Sequence, residues 1–326
     1  MLYLGLDTSN YTTSAAVYDS ETGCVYKAGK LLPVKPGELG VRQSDALFHH
    51  TVQLPGVVAE TIGAATGKAG LNEDSTADCT AKLREKISAI GVSSRPRNVE
   101  GSYMPCFLAG VTAAEIIGSV NNIPVHKTSH QVGHILAALY SVGRLDLVNR
   151  PFNAFHISGG TTDMLLCTPD DDEILRCEIV AASADLKAGQ LVDRVGVMLG
   201  LPFPCGPELE KLAENGLPPK KINVPMKNGS PCFSGAENKC RKMFEDNIPP
   251  EDIARYVLSY IETAIMNMIN ANASCDTIVF AGGVMSNKLI RKSLEKIDRE
   301  KYFAAPGYSS DNAVGAAVYA YLKENS

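Results

Sequence analysis

The sequence predicts an α/β protein built from two related halves. Short apolar runs of strand length alternate with helix-length segments along the whole chain, the pattern of a sheet covered by helices. Residues 2–6 and 13–18 flank a polar turn, DTSNYTT, and residues 152–157 and 163–167 flank a second one, SGGTT. Each reads as a hairpin, and after the second hairpin the order of elements starts again. The length of 326 residues suits two domains at roughly 150 residues each. The expected divisions are residues 1–128 for the N-terminal subdomain, 129–150 for a connecting helix and 151–326 for the C-terminal subdomain.

Each element has a local reason. Residues 44–65 carry a helical pattern with a kink expected at Pro55, which cannot donate into the helix ladder. Residues 87–93 form a buried strand, 107–121 a helix, and Val125 marks a short strand. Ser129 is an N-cap for a helix reaching about Tyr140. The second half predicts helices at 188–199, 207–214, 237–244 and 251–271, a strand at 277–281, and helices at 287–297 and 312–323. The Pro- and Lys-rich stretch 217–230 is expected to be a surface excursion.

Composition narrows the function. An apolar fraction of 45% is that of a globular protein, and 31 basic against 36 acidic side chains leave a net charge of −5. Such a chain does not hold nucleic acid by its overall charge. No apolar run reaches the roughly 18 residues of a membrane span, and the N-terminus lacks the basic region of a signal peptide. Nine cysteines without a Cys-x-x-Cys pair fit reduced thiols. The expectation is a cytoplasmic protein without a membrane partner.

Three stretches carry chemistry. His130 and His134, in SHQVGH, lie one helical turn apart on one face, close enough to share a metal ion or to be two polar residues on a solvated face. The zincin motif needs a glutamate after its first histidine; Gln131 stands there and cannot take a proton. Ser158, Gly159 and Gly160 form a turn whose glycines let backbone N–H groups approach phosphate oxygens. The hydroxyl-rich DTSNYTT hairpin is its counterpart in the other half. Gly282 and Gly283, in AGGV, follow an apolar strand and precede a helix. Two hydroxyl-rich hairpins facing each other across a cleft, with an adenosine-binding glycine turn downstream, is the arrangement of actin-like, sugar-kinase-like and Hsp70-like ATPases.

From these motifs the chain resembles the tRNA threonylcarbamoyladenosine synthase family. LGLDTSNYTTSAAVY, SHQVGH, HISGG, VDRVGVMLGLPFPCGPELEKLA, FSG, AGGVMSNKLIR and SSDNAVGAA follow in family order from Leu2 to about Ala317. The resemblance implies an actin-like (RNase H-like) fold with a nucleotide cleft between two duplicated subdomains. It makes His130, His134 and Asp311 ligands of one divalent ion, iron or zinc, with Asp311 supplied from the half opposite the histidines. Ser158, Gly159, Gly160, Asp193, Gly206, Gly282, Gly283 and Asn287 become contacts of an adenine nucleotide, whether ATP, AMP or an acyl-adenylate. Relatives carry a tyrosine that reaches the metal where this chain has His156. Strand alternation puts His156 on the same face as Ser158, and imidazole ligates iron or zinc better than phenol, so His156 is expected as a fourth ligand.

Departures from the family pattern are equally specific. Tyr11 and Thr12 replace an acidic pair whose first member is implicated in transfer, leaving Asp7 and Tyr11 as catalytic candidates. Thr161 follows the glycines where the family has His or Asn, and Gln190 stands for a glutamate. His49 and His50 are expected to be structural or gating residues. The implied activity is transfer of threonylcarbamoyl from its adenylate to N6 of adenosine 37 in tRNA. Partner subunits of that machinery are implied to help hold tRNA, and a homodimer is entertained. The alternatives are a paralogue moving carbamoyl or phosphoryl groups onto a small molecule, and a non-catalytic nucleotide- and metal-binding partner.

Overall fold

The computed structural model describes residues 1–9, 11–33, 41–66, 87–308 and 313–326. The first sheet comprises β1 (Leu2–Asp7), β2 (Thr12–Asp19), β3 (Val25–Leu31), β4 (Ile87–Arg95) and β5 (Val125–Ser129), in the order β3-β2-β1-β4-β5. β1, β2 and β3 pair antiparallel, whereas β4 runs parallel to both β1 and β5. The second comprises β6 (Phe152–Ile157), β7 (Thr162–Asp170), β8 (Ile174–Ala182), β11 (Thr277–Ala281) and β12 (Glu300–Phe303), in the order β12-β11-β6-β7-β8. β6 pairs antiparallel with β7, and β11 runs parallel to both β6 and β12. The two sheets therefore share one plan: an antiparallel hairpin extended by two later parallel strands. Within the surface excursion, β9 (Met226–Lys227) and β10 (Ser230–Pro231) form a two-stranded hairpin.

Three of these strands are not among those the sequence predicts: β3 and β12 mix lysines with few apolar residues, and the apolar residues of β8 are interrupted by Arg176 and Glu178. β3 buries only one residue fully, β8 buries four of nine, and β12 none. Each lies at the end of its sheet, where one flank and part of both faces meet solvent, so polar residues are tolerated and no continuous apolar run is needed.

The helices are α1 (Gln43–Ala65), α2 (Phe107–Asn121), α3 (His130–Ser141), α4 (Ala188–Met198), α5 (Gly206–Ala213), α6 (Ser234–Glu245), α7 (Pro250–Asn272), α8 (Lys288–Leu294) and α9 (Ala313–Asn325). α1 continues through Pro55 as one element. α8 stops three residues earlier than its sequence pattern implies, because its last turn is followed directly by the short connection into β12.

The chain packs as two compact units, one made of Met1–Val148, Pro169–Cys177 and Asp311–Ser326, the other of Asn149–Thr168 and Glu178–Ser310. This differs from a linear division at residues 128 and 150. α3 belongs wholly to the first unit, and α9 returns to it from the far end of the chain. The reason is apolar burial: every residue from Ala313 to Ala320 is buried, and α9 packs on β1, β4 and α3. Its approach to α3 is so close that a Cβ on Gly315 would overlap the Gly133 carbonyl. In the second unit Phe155, Phe280 and Phe303 stack in sequence across β6, β11 and β12, with centroids 5.3 and 4.6 Å apart.

Candidate functional site

In the first unit, β1 ends at Asp7 and α3 begins at His130. The Ser129 hydroxyl accepts a hydrogen bond from Val132 N at 3.1 Å, the expected N-cap, which starts the helix at His130. The four-residue spacing then stacks the His130 and His134 rings at a centroid distance of 4.6 Å. His134 is 6% exposed and Gln131 between them is also buried. The Asp7 carboxylate, only 1% exposed, meets His130 Nδ1 through Oδ2 at 3.2 Å. Its other oxygen accepts from Ser9 N at 2.9 Å and from the Ser9 hydroxyl.

Burial pushes the Asp7 carboxyl up, but the charge of His130 and hydrogen bonds from His130, Ser9 and Ser93 outweigh it and hold it below the ordinary carboxylate range. Asp7 is thus an ionised, fully engaged acceptor. A carboxylate on Nδ1 keeps the proton on that nitrogen, so it is Nε2 that would give up its proton to ligate a metal, the usual arrangement behind a metal-binding histidine. Thr8 anchors the same turn to α2, donating to Cys106 O at 2.9 Å and accepting from Gly110 N at 3.1 Å.

Tyr11 is 46% exposed, and its carbonyl accepts from Leu32 N at 2.7 Å. His50 is fully buried, with Nδ1 2.8 Å from Thr13 Oγ1, which also donates to Gln53 Oε1 at 2.9 Å. These bonds tie α1 to β2, a structural task.

The second unit builds its site from backbone. Ser158 N donates to Thr161 O at 2.8 Å, closing the turn and leaving Gly159 and Gly160 exposed with open space above both. The next residue fixes the turn to α4: Thr162 Oγ1 accepts from Ala188 N at 2.8 Å, and Thr162 O accepts from Ser183 N at 2.9 Å. Gly189 lets the first turn of α4 touch the loop, since a Cβ there would come within 2.6 Å of Gly159 Cα. Gln190 also has a local function, its side-chain oxygen accepting from Lys187 N at 3.1 Å, half of a capping box.

Three of the sequence-selected residues are brought together by α4, α5 and α8. Asp193 Oδ1 accepts from Cys205 N at 2.9 Å, immediately before Gly206 opens α5. Burial raises the Asp193 carboxyl, only partly offset by that N–H. Asn287 is the N-cap of α8, its Oδ1 accepting from Leu289 N and Ile290 N, both at 3.0 Å. Lys288 N donates in turn to Glu210 Oε1 on α5 at 3.0 Å. Gly282 adopts φ +97°, and a Cβ there would overlap the Ile157 backbone; Gly283 opens the short helical turn that follows.

The ligand residues fall differently. His156 is 4% exposed on β6, opposite Asp163 on β7 and Ala281 on β11. Asp311 lies outside the described residues, and among these no group of three His, Cys, Asp or Glu side chains gathers as a metal site. The helix that follows Asp311 in sequence, α9, belongs to the first unit with α3 rather than to the half that the histidines were expected to face. Apolar packing of α9 on β1, β4 and α3 overrides chain order.

Sequence reading missed Asp185. Its carboxylate receives Leu186 N (2.7 Å), Phe233 N (2.6 Å), Ser234 N (3.1 Å) and the Ser234 hydroxyl (2.5 Å), fastening the start of α6 beside α4. The partners lie 48 and 49 residues away, so no local pattern could reveal them.

The paired sheets and glycine turns define the actin-like ATPase class of fold, and solved structures agree. Component A of (R)-2-hydroxyglutaryl-CoA dehydratase from Acidaminococcus fermentans matches all of this chain and all of its own with a TM-score of 0.59 at 14% identity. HypF of T. kodakarensis matches 99% of this chain, over 48% of its own length, with a TM-score of 0.60 at 12% identity.

The family described as tRNA N6-adenosine threonylcarbamoyltransferase matches residues 40–318, and the chain belongs to it. The tRNA N6-adenosine threonylcarbamoyltransferase of Thermosipho africanus (strain TCF52B) is 28% identical over 98% of this chain and 94% of its own. A probable bifunctional tRNA threonylcarbamoyladenosine biosynthesis protein from Thermoplasma acidophilum is 26% identical over all of this chain and 57% of its own length.

Proposed function

We propose that this chain transfers threonylcarbamoyl from threonylcarbamoyl-AMP to N6 of adenosine 37 in tRNA, with AMP leaving. The observation that carries the reading is the Asp7–His130–His134 arrangement in a chain of this family: a buried carboxylate holding Nδ1 of the first of two adjacent imidazoles. Two imidazoles and a carboxylate form a donor set suited to iron or zinc, so the residues fit the implied ion. His130, His134 and Asp311 would hold it; α9, two residues after Asp311, lies against Gly133 between the two histidines. His156 is the proposed fourth ligand. Elemental analysis tests both assignments: His130→Ala and His156→Ala should each lose metal, and full occupancy in the second returns His156 to a core role.

When bound, such an ion polarises or holds an acyl-phosphate oxygen. The rest falls to protein groups. The exposed N–H groups of Gly159 and Gly160 would receive phosphate oxygens, and Asp193, Gly206, Gly282, Gly283 and Asn287 would frame the nucleoside. Asp7 is spent on His130 and Ser9, which makes it a positioning group; the acceptor's proton would then leave to water or to the departing phosphate. Partner proteins would supply the adenylate and help hold tRNA in the cytoplasm, in keeping with a net charge of −5. The bifunctional relative, with sequence beyond the matched part, supports association with further machinery.

Tyr11 favours a second reading, carbamoyl or phosphoryl transfer to a small molecule, because an exposed phenol stands where the family pattern has a carboxylate. One experiment separates the two: the purified chain with partner proteins is given tRNA from a strain lacking its own synthase. Threonylcarbamoyladenosine in the digested tRNA supports the first reading; its absence with metal and nucleotide bound supports the second.

A further inference from the structure

Lys187 occupies the residue before α4, beside the glycine turn and in the same unit. Its backbone position is fixed from three sides. Ala188 N, the next amide, is bonded to Thr162 Oγ1, Gly189 rests on Ser158 and Gly159, and Lys187 N is held by Gln190. The ammonium donates to Ser183 Oγ at 3.0 Å and Ser183 O at 3.3 Å. Both acceptors are neutral, and the nearby Asp185 carboxylate is turned away onto α6. Among the described residues no carboxylate lies within ion-pair distance of this half-buried cation.

A half-buried ammonium with only dipolar partners gains most from an anion. A lysine beside glycine amides is a familiar phosphate donor set, the amides fixing geometry and the lysine adding charge. On the proposed nucleotide-binding reading, on which this rests, we infer that Lys187 is a specificity residue of the phosphate site. It leaves Ser183, a side-chain rotation that needs no backbone change, and donates to a phosphate oxygen of the nucleotide held over Gly159 and Gly160. The turn alone accepts any small polar group; the lysine makes it select the phosphorylated nucleoside.

Calorimetric titration of the whole chain with AMP and, separately, adenosine tests this. Lys187→Gln should weaken AMP binding roughly tenfold, the scale of one charge-assisted hydrogen bond, and leave adenosine binding unchanged. Lys187→Arg should recover most of the AMP affinity, and added salt should weaken AMP binding more in the wild type than in Lys187→Gln. Unchanged AMP affinity in Lys187→Gln, or equal losses for AMP and adenosine, overturns the assignment while leaving the nucleotide reading intact. A wild-type chain that binds neither compound overturns the nucleotide reading and this one with it.

Discussion

The two units build their candidate sites by opposite means. The first uses buried side chains: Asp7, His130 and His134 are each less than about one-eighth exposed, and each is positioned by a hydrogen bond or ring contact. The second uses backbone: Gly159, Gly160 and the start of α4, with Thr162 as a clamp. Side-chain sites depend on which atoms are present, because burying an unpaired charge is costly. Backbone sites depend on which atoms are missing, because any Cβ would fill the place where loop and helix touch. The difference makes the units separable by mutation.

The largest effects should come from filling the two close approaches. Gly315→Ala forces α9 off α3, and Gly189→Ala forces α4 off the turn. Each should cost about 3 kcal/mol in urea unfolding, the upper range of overpacking. Ligand readouts should split, Gly315→Ala losing metal and keeping AMP, Gly189→Ala losing AMP and keeping metal. A common loss of both ligands would mean the units do not act independently.

Asp7→Asn comes next. It keeps the shape but offers Nδ1 a weaker, neutral partner, so metal affinity should fall roughly ten- to hundredfold, as for other partners of ligating histidines. Competition with a chromophoric chelator reads this directly, and AMP binding serves as the control. An unchanged affinity would remove Asp7 from the site.

In the second unit, Asn287→Ala removes a helix N-cap and should cost about 1 kcal/mol, read as a lower midpoint in urea. Ser in its place should restore most of the loss while changing any contact made by the amide nitrogen. A loss of AMP affinity in Asn287→Ser, with stability restored, would show a binding role beside the cap.

The smallest effect concerns pH. Burial raises the Asp185 carboxyl, but the hydrogen bonds from Ser234, Phe233 and Leu186 prevail and set it below its ordinary value. A carboxylate depressed in the folded state contributes stability that is present above its unfolded pKa, near 3.9, and lost as pH falls through the folded value. Asp185→Asn should therefore flatten the acid limb of a stability–pH curve. For Asp193, where burial wins, the sign reverses. Its contribution is present below the unfolded pKa and lost as pH rises through the folded one, so Asp193→Asn should stabilise the apo chain at neutral pH while weakening AMP binding. Parallel changes in the two variants would contradict the contrast.

What the sequence determined by itself is local chemistry. The alternation of strand and helix, the two hairpins, the Ser129 cap and the one-turn spacing of His130 and His134 all depend on neighbours within a few residues, where apolar period and capping chemistry act. The glycine turns were legible for the same reason. Tertiary structure alone decided the rest. It assigned the edge strands β3, β8 and β12, which meet solvent on one flank and whose apolar residues are few or interrupted by charges. It gave Asp7 a histidine 123 residues away and Asp185 a helix start 48 residues on. It also returned α9 to the first unit beside α3, because eight consecutive buried residues need an apolar surface on all sides, and no local pattern encodes which surface that is.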